Sequence, residues 1–192
     1  MKYLMKKVIL ISVLTLFFTD VISQEVEKSI WGVQMGIHPL SGYNEFKVNN
    51  SISLRSEIGF GFGWSGGDWA VMPTLIVEPR YYYNLKRRQK LNKQIRNNSG
   101  NYLSAALGYT NGKLAISSQG VEVHSTFNII PMYGLRRNIG NDFNFEFAFG
   151  IGYGWTFKDY TSTYYGTSQT FNVKETEGGI AYGLRLSIGY VF

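Results

Sequence analysis

The sequence predicts an all-β protein, one eight-stranded antiparallel up-and-down transmembrane β-barrel. Three observations carry that prediction. First, residues 142–157 alternate strictly. Phe143, Phe145, Phe147, Phe149, Ile151, Tyr153, Trp155 and Phe157 stand at the odd positions, with Asn144, Glu146, Ala148, Gly150, Gly152, Gly154 and Thr156 between them. Neighbouring side chains on a strand point to opposite faces, whereas on a helix these aromatics would point all round. A soluble strand would turn the aromatics inward and set the glycines in water, yet glycine weakens a strand unless its space is used. The narrow interior of a small barrel uses that space, and the bulky face then meets lipid. Second, the chain opens on an export-like segment. Third, beyond that segment no apolar run is long enough for a membrane helix, and mean hydropathy is −0.12, with 16% aromatics and 22 glycines. Alternating strands average out on a hydropathy scale in this way.

Residues 1–23 read as a cleaved signal peptide. Lys2, Lys6 and Lys7 precede an apolar core at 8–18, and Val21 and Ser23 occupy the small-residue positions before Gln24. The core is shorter than the ~20 residues of a spanning helix. The sequence has no cysteine, which argues against a lipoprotein anchor, disulfides and thiolate metal sites. Removing 1–23 takes three cations and one anion from the formal +6, leaving a mild +4 that does not argue for nucleic acid. No linker-like composition divides residues 24–192, which read as one barrel domain.

Eight strands are expected, in order. Residues 30–38 alternate Trp31, Val33, Met35 and Ile37 against Gly32, Gln34, Gly36 and His38, and 43–48 follow a turn at 39–42. Asn49-Asn50 suits a tight hairpin. Residues 51–64 set Ile52, Leu54, Ile58, Phe60, Phe62 and Trp64 against Ser53, Arg55, Glu57, Gly59, Gly61 and Gly63. After a turn at 65–68, residues 69–84 set Val71, Leu75, Val77, Tyr81 and Tyr83 against Met72, Thr74, Ile76, Glu78, Arg80 and Tyr82, with Pro73 and Pro79 predicting bulges. A basic turn at 85–100 leads to a strand at 101–109. A polar loop at 110–120 leads to 121–136, where Glu122, His124, Thr126, Asn128, Met132 and Arg136 share a face. A turn at 138–141, the strand at 142–157, a Tyr/Thr/Ser-rich loop at 158–178 and a last strand at 180–192 complete the chain.

Parity assigns sides. With a periplasmic N-terminus, the turns at 49–50, 85–100 and 138–141 lie inside, and 39–42, 65–68, 110–120 and 158–178 lie outside, which makes the longest loop external. Trp64, Trp69 and Trp155 then fall at outer strand ends and Trp31 at an inner one, the pattern of two interfacial belts.

Glu78-Pro79-Arg80-Tyr81-Tyr82-Tyr83-Asn84-Leu85, the basic turn, and Asn98-Ser99-Gly100-Asn101-Tyr102-Leu103 resemble the small outer-membrane β-barrel proteins common in Bacteroidota. The resemblance spans most of 30–192, includes the terminal Phe192, and is weakest in the loops. It implies insertion by the outer-membrane assembly machinery, with Tyr190 and Phe192 in the terminal signal. It implies no activity.

The predicted inner wall carries Arg55, Glu57, Glu78, Arg80, His124, Arg136, Glu146 and Arg185. Buried charges must pair and hydrogen-bond, because leaving them unpaired costs several kcal/mol each. Two readings are open: a polar plug that closes the lumen, or a narrow solute path or small-ligand pocket. Some eight-stranded outer-membrane lipid A deacylases carry His-x-Ser near an acid. Here Thr126 holds that place after His124, and Ser125 points to the other face, so a lipid-modifying enzyme is the weaker alternative. Two histidines and no cysteine give little basis for a metal, and no cofactor is predicted. Lys86, Arg87, Arg88, Lys90, Lys93 and Arg96 form either a solvated turn or a contact for anionic headgroups. The expectation is a structural or surface-exposed outer-membrane protein without enzymatic activity. Its partners are the outer-membrane lipids and the assembly machinery, and its outer loops are free for other contacts.

Overall fold

Strands form where the alternation is clearest and, in the hairpin of the last two, extend beyond it. The computed structural model describes residues 26–37, 40–118, 121–163 and 170–192, so the segment expected as a signal peptide, His38 and residues 164–169 lie outside the described residues. Nine strands follow one another: β1 (Ser29–Gly36), β2 (Ser41–Lys47), β3 (Ile52–Ser65), β4 (Asp68–Tyr82), β5 (Asn101–Thr110), β6 (Ile116–Ser117), β7 (Ser125–Ile139), β8 (Phe143–Thr163) and β9 (Thr170–Val191). A helix α1 (Leu85–Lys90) and 3-10 turns at Arg96–Asn98 and Gly112–Leu114 lie in the connections.

Eight of the strands close a ring, each antiparallel to its neighbours. β9 returns to β1, from Gly32 opposite Val191 to Gly36 opposite Ser187, and the Phe192 N–H donates to the Trp31 carbonyl at 3.0 Å. The ninth strand, β6, adds only to Ala70 and Val71 of β4, beyond the point where β5 ends. Following the register from Gly32 through Tyr43, Glu57, Ile76, Gly108, Asn128, Gly154 and Gly179 comes back to the level of residue 44, a stagger of twelve residues. A large stagger tilts the strands and widens the ring, which makes room for long side chains inside.

Several expectations need correction. Pro73 and Pro79 do not bulge. The β3–β4 ladder keeps one register past both, and the β4–β5 ladder resumes unshifted at Arg80 opposite Ser104 after a gap at 78–79. A missing N–H interrupts a ladder without requiring an extra residue. The loop expected at 158–178 is mostly strand, since β8 and β9 stay paired out to Thr163 opposite Thr170. The loop at 110–120 contains β6, and β7 starts at Ser125 rather than 121 and runs on to Ile139. The basic turn folds as α1 plus a 3-10 turn. Asn49 closes its turn with the side chain, its Oδ1 accepting from the N–H groups of Ser51 and Ile52 at 2.9 and 2.8 Å.

The interior is layered. Val26, Tyr82, Leu85, Tyr102, Ala106, Ile130, Met132 and Ala148 form one apolar cluster, and Ile30, Tyr43 and Val191 a smaller one. Two tyrosines lie flat because glycine stands opposite. A Cβ on Gly32 would come within 2.7 Å of the Tyr43 ring, and one on Gly134 would enter the ring of Tyr102. The outer face of the ring is apolar, with Ile58, Ile151, Ile180 and Tyr182 all more than 60% exposed.

Candidate functional site

Seven of the eight residues expected on the inner wall converge in one ionic cluster, and an eighth ionisable partner, Glu45, completes it. Allowing for the stagger, Glu45 on β2, Arg55 and Glu57 on β3, Glu78 and Arg80 on β4, Arg136 on β7, Glu146 on β8 and Arg185 on β9 lie in one layer across the ring. None is more than 4% exposed. The cluster therefore holds four arginines and four glutamates, and its formal charge is zero.

Glu146 is the hub. Its carboxylate meets Arg80 at 2.7 Å, Arg136 at 2.8 Å, Arg185 at 3.2 Å and Arg55 at 3.6 Å, and it accepts from the Tyr102 hydroxyl at 2.7 Å. Glu45 takes Arg136 at 2.9 Å and Arg80 at 3.4 Å, with donors from Ser53, Tyr82 and Asn98 at 2.7–2.9 Å. Glu57 takes Arg55 at 3.0 Å and Arg185 at 3.3 Å, together with Ser41 and Gln34, each at 2.8 Å. Glu78 takes Arg185 at 2.7 Å and Arg80 at 2.8 Å, with Ser104 at 2.6 Å. Buried carboxylates need such saturation, since a charge left unpaired at this depth costs several kcal/mol. Aromatic faces hold the cations from the side. Arg55 sits 3.6 Å from the Tyr43 ring centroid, and Arg80 sits 4.3 Å from that of Tyr102.

The end of the ring next to residues 85–100 is capped by chain. Asn97, Asn98 and Ser99 are buried under it, and Asn98 ties the basic segment both to Glu45 and to the backbone N–H of Glu27 at 2.9 Å. The Asn97 N–H in turn donates to the Glu27 carboxylate at 2.6 Å. Arg88 folds back onto the Gln94 carbonyl at 2.9 Å, and Arg96 faces Asp142 at 3.5 Å, so part of the basic run caps the ring.

Outward of the cluster the interior opens into a cavity of about 450 Å3. Arg185 stands at its floor. Ile76, Ala106, Ile130 and Met132 line the next layer, and Thr74, Thr110, Thr126 and Asn128 lie beyond them.

His124 does not join the cluster. It precedes β7 and lines the cavity near its rim. Among the described residues it makes no hydrogen bond to Glu122, Ser125 or Thr126, and the Ser125 hydroxyl instead accepts from the Gly112 N–H at 3.1 Å. Among the described residues these side chains therefore form no hydrogen-bonded constellation of their own. No acid/histidine group with metal-holding geometry occurs among the described residues. Tyr190 and Phe192 come together on the outer face, ring centroids 5.4 Å apart, with Phe143 edge-on to Tyr190 at 5.2 Å.

Glu45 escaped the sequence reading because each face of its strand mixes an aromatic with a polar residue, Tyr43 with Glu45 on one and Phe46 with Asn44 on the other. The useful signal was arithmetic: four inward arginines faced three inward glutamates. Compared with known proteins, the chain matches no family model, no curated protein and no solved structure.

Proposed function

We propose that the chain is an integral outer-membrane β-barrel protein, structural or surface-exposed in role, whose lumen is closed by a polar plug. One observation carries this reading: the polarity of the ring is inverted. Eight ionisable side chains are buried at its centre, while its outer face presents Trp31, Ile58, Phe60, Phe149, Ile151 and Tyr182 uncovered. In water such a molecule would bury its charges and expose its hydrophobic residues. In a bilayer the outer residues meet hydrocarbon instead of water, while the charges answer one another inside. Ring closure through β9 and β1 supports the reading, because a strand edge left open to lipid cannot satisfy its backbone groups. On this account 1–23 is the signal peptide, and the segment ending in Tyr190 and Phe192 is the handle for the assembly machinery. The likeness to the small Bacteroidota outer-membrane barrels belongs to the same proposal.

Fractionation tests it. Expressed with its signal segment in a Gram-negative host, the protein is expected in carbonate-washed outer membranes, as a band whose gel mobility changes on boiling. Recovery in the carbonate-soluble fraction would overturn the reading. A second reading, a barrel that binds a small ligand, is favoured by the outer cavity above Arg185.

A further inference from the structure

The ring is two strands short in its outer half. β1 stops at Gly36 and β2 starts at Ser41, so their hairpin turns early, tied to Leu186 on one side (Ile37 N–H to Leu186 carbonyl, 3.1 Å) and to Phe60 on the other (Phe60 N–H to Leu40 carbonyl, 3.2 Å). β3 runs on to Ser65, and β9 approaches from Thr170. Among the described residues no ladder joins β3 beyond Gly59 to β9 before Ser187. The backbone groups of Phe60 and Leu186 point to the hairpin. By the two-residue period, those of Phe62 and Trp64 and those of Leu184 and Tyr182 point into the opening above it.

The opening and the outer cavity are continuous. Ile37, Phe62, Tyr182 and Leu184, which flank the gap on its outer side, line the same 450 Å3 space as Ala106 and Met132 on its inner wall. Unpaired backbone groups persist at membrane depth only where protein covers them or they line a water-filled cavity, and these border the mouth of the cavity, where water reaches them from its polar outer end. The gap also lies between the Trp31 end of the ring and the Trp64–Trp69 end, at the level of the outward apolar band.

We propose that this opening is a lateral entrance through which one acyl chain of a lipid in the surrounding leaflet enters the cavity. The proposal rests on the membrane-barrel reading above. The lining favours a hydrocarbon over a charged solute: the lower wall is aliphatic, and Arg185 at the floor is already paired with Glu57, Glu78 and Glu146. The volume lies in the range of ordinary small-ligand sites and leaves room for a single chain. The threonines and Asn128 further out suit the more polar end of the guest.

The absence of cysteine makes a direct test simple. Single-cysteine chains carrying Ala106→Cys or Met72→Cys (cavity) or Ile151→Cys (outer face) are labelled with bimane and refolded into phosphatidylcholine vesicles. The acyl chains are either plain or brominated near their middle, and folding is verified by the heat-modifiable band. Bromine is expected to at least halve the fluorescence at Ile151 and at Ala106. Quenching at Ile151 with none at Ala106 or Met72 overturns the lateral entrance and leaves the membrane reading standing. No quenching at Ile151 removes the membrane reading and the proposal with it. Where the Ala106 label prevents folding, the Met72 label decides alone.

Discussion

Arg136 and Glu146 face each other directly across the β7–β8 ladder, and two N–H groups of Arg136, from Nε at 3.0 Å and Nη2 at 2.8 Å, end on the same carboxylate oxygen, Oε2. The other oxygen, Oε1, takes Arg80, Arg185 and Tyr102. One side chain thus answers cations from four strands, and its removal leaves all of them under-compensated.

Glu146→Gln is therefore expected to destabilise the folded protein by about 3–5 kcal/mol, the usual cost of breaking a buried pair from one side. Urea titration of the refolded chain measures it. The double change Arg136→Met with Glu146→Leu should cost less than the sum of the two single changes, because it leaves fewer stranded charges on that ladder. A silent Glu146→Gln would count against the plug.

Phe147 stands on the outward face, its ring 5.9 Å from that of Phe149. Phe147→Arg places a charge on the apolar band, at a cost of ~2–4 kcal/mol if that band lies at the bilayer midplane, while Phe147→Leu should be nearly neutral. Refolding yield into vesicles compares the two. Equal tolerance of Arg and Leu would mean that this face does not meet lipid.

Gly134 leaves room for the Tyr102 ring, and that ring carries both Arg80 and the hydroxyl bond to Glu146. Gly134→Val should lower stability by ~1–3 kcal/mol through overpacking. Gly66, with nothing within 4 Å of an added Cβ, has φ +62 in a hairpin, so Gly66→Asn there should be mild. If the two substitutions cost the same by urea titration, the close approach is not what constrains Gly134.

Deleting Phe192 removes the last outward aromatic and its backbone bond to Trp31. The β1–β9 ladder from Gly32 to Gly36 stays intact, so the deleted chain refolded from urea into detergent should still give a heat-modifiable band. In cells it should remain unassembled and protease-sensitive. Normal outer-membrane levels of the deletion would sink the assembly-signal assignment. Loss in both settings would make Phe192 a folding residue.

Much of this arrangement was legible because a period of two sorts side chains without knowledge of their partners. Arg55, Glu57, Glu78, Arg80, Arg136, Glu146 and Arg185 all lie inside, where alternation put them. The sorting fails where alternation has no apolar side. In 41–47, Asn44 and Glu45 are both polar, so the face of Glu45 became clear only from its register with Arg55. At 158–163 and 170–178 the sequence is rich in Thr, Ser, Lys and Glu without a sustained alternation, which reads as loop although the backbone pairs throughout. His124 keeps the inward parity that alternation gives it, lining the cavity with Thr126 and Asn128, but it stands ahead of Ser125 near the rim, too far along the strand to reach the cluster. The side gap had no signature in composition. It follows from the lengths of β1 and β2 relative to β3 and β9, and those lengths are set by where the hairpin at 37–40 turns.

Conductance across a planar bilayer tests the central claim most directly. If the ion cluster and the inner cap close the ring, the refolded wild-type chain inserts without passing current, while Arg136→Ala combined with Glu146→Ala, which empties the cluster's centre, gives measurable openings. Steady single-channel conductance from the wild-type protein would contradict the account.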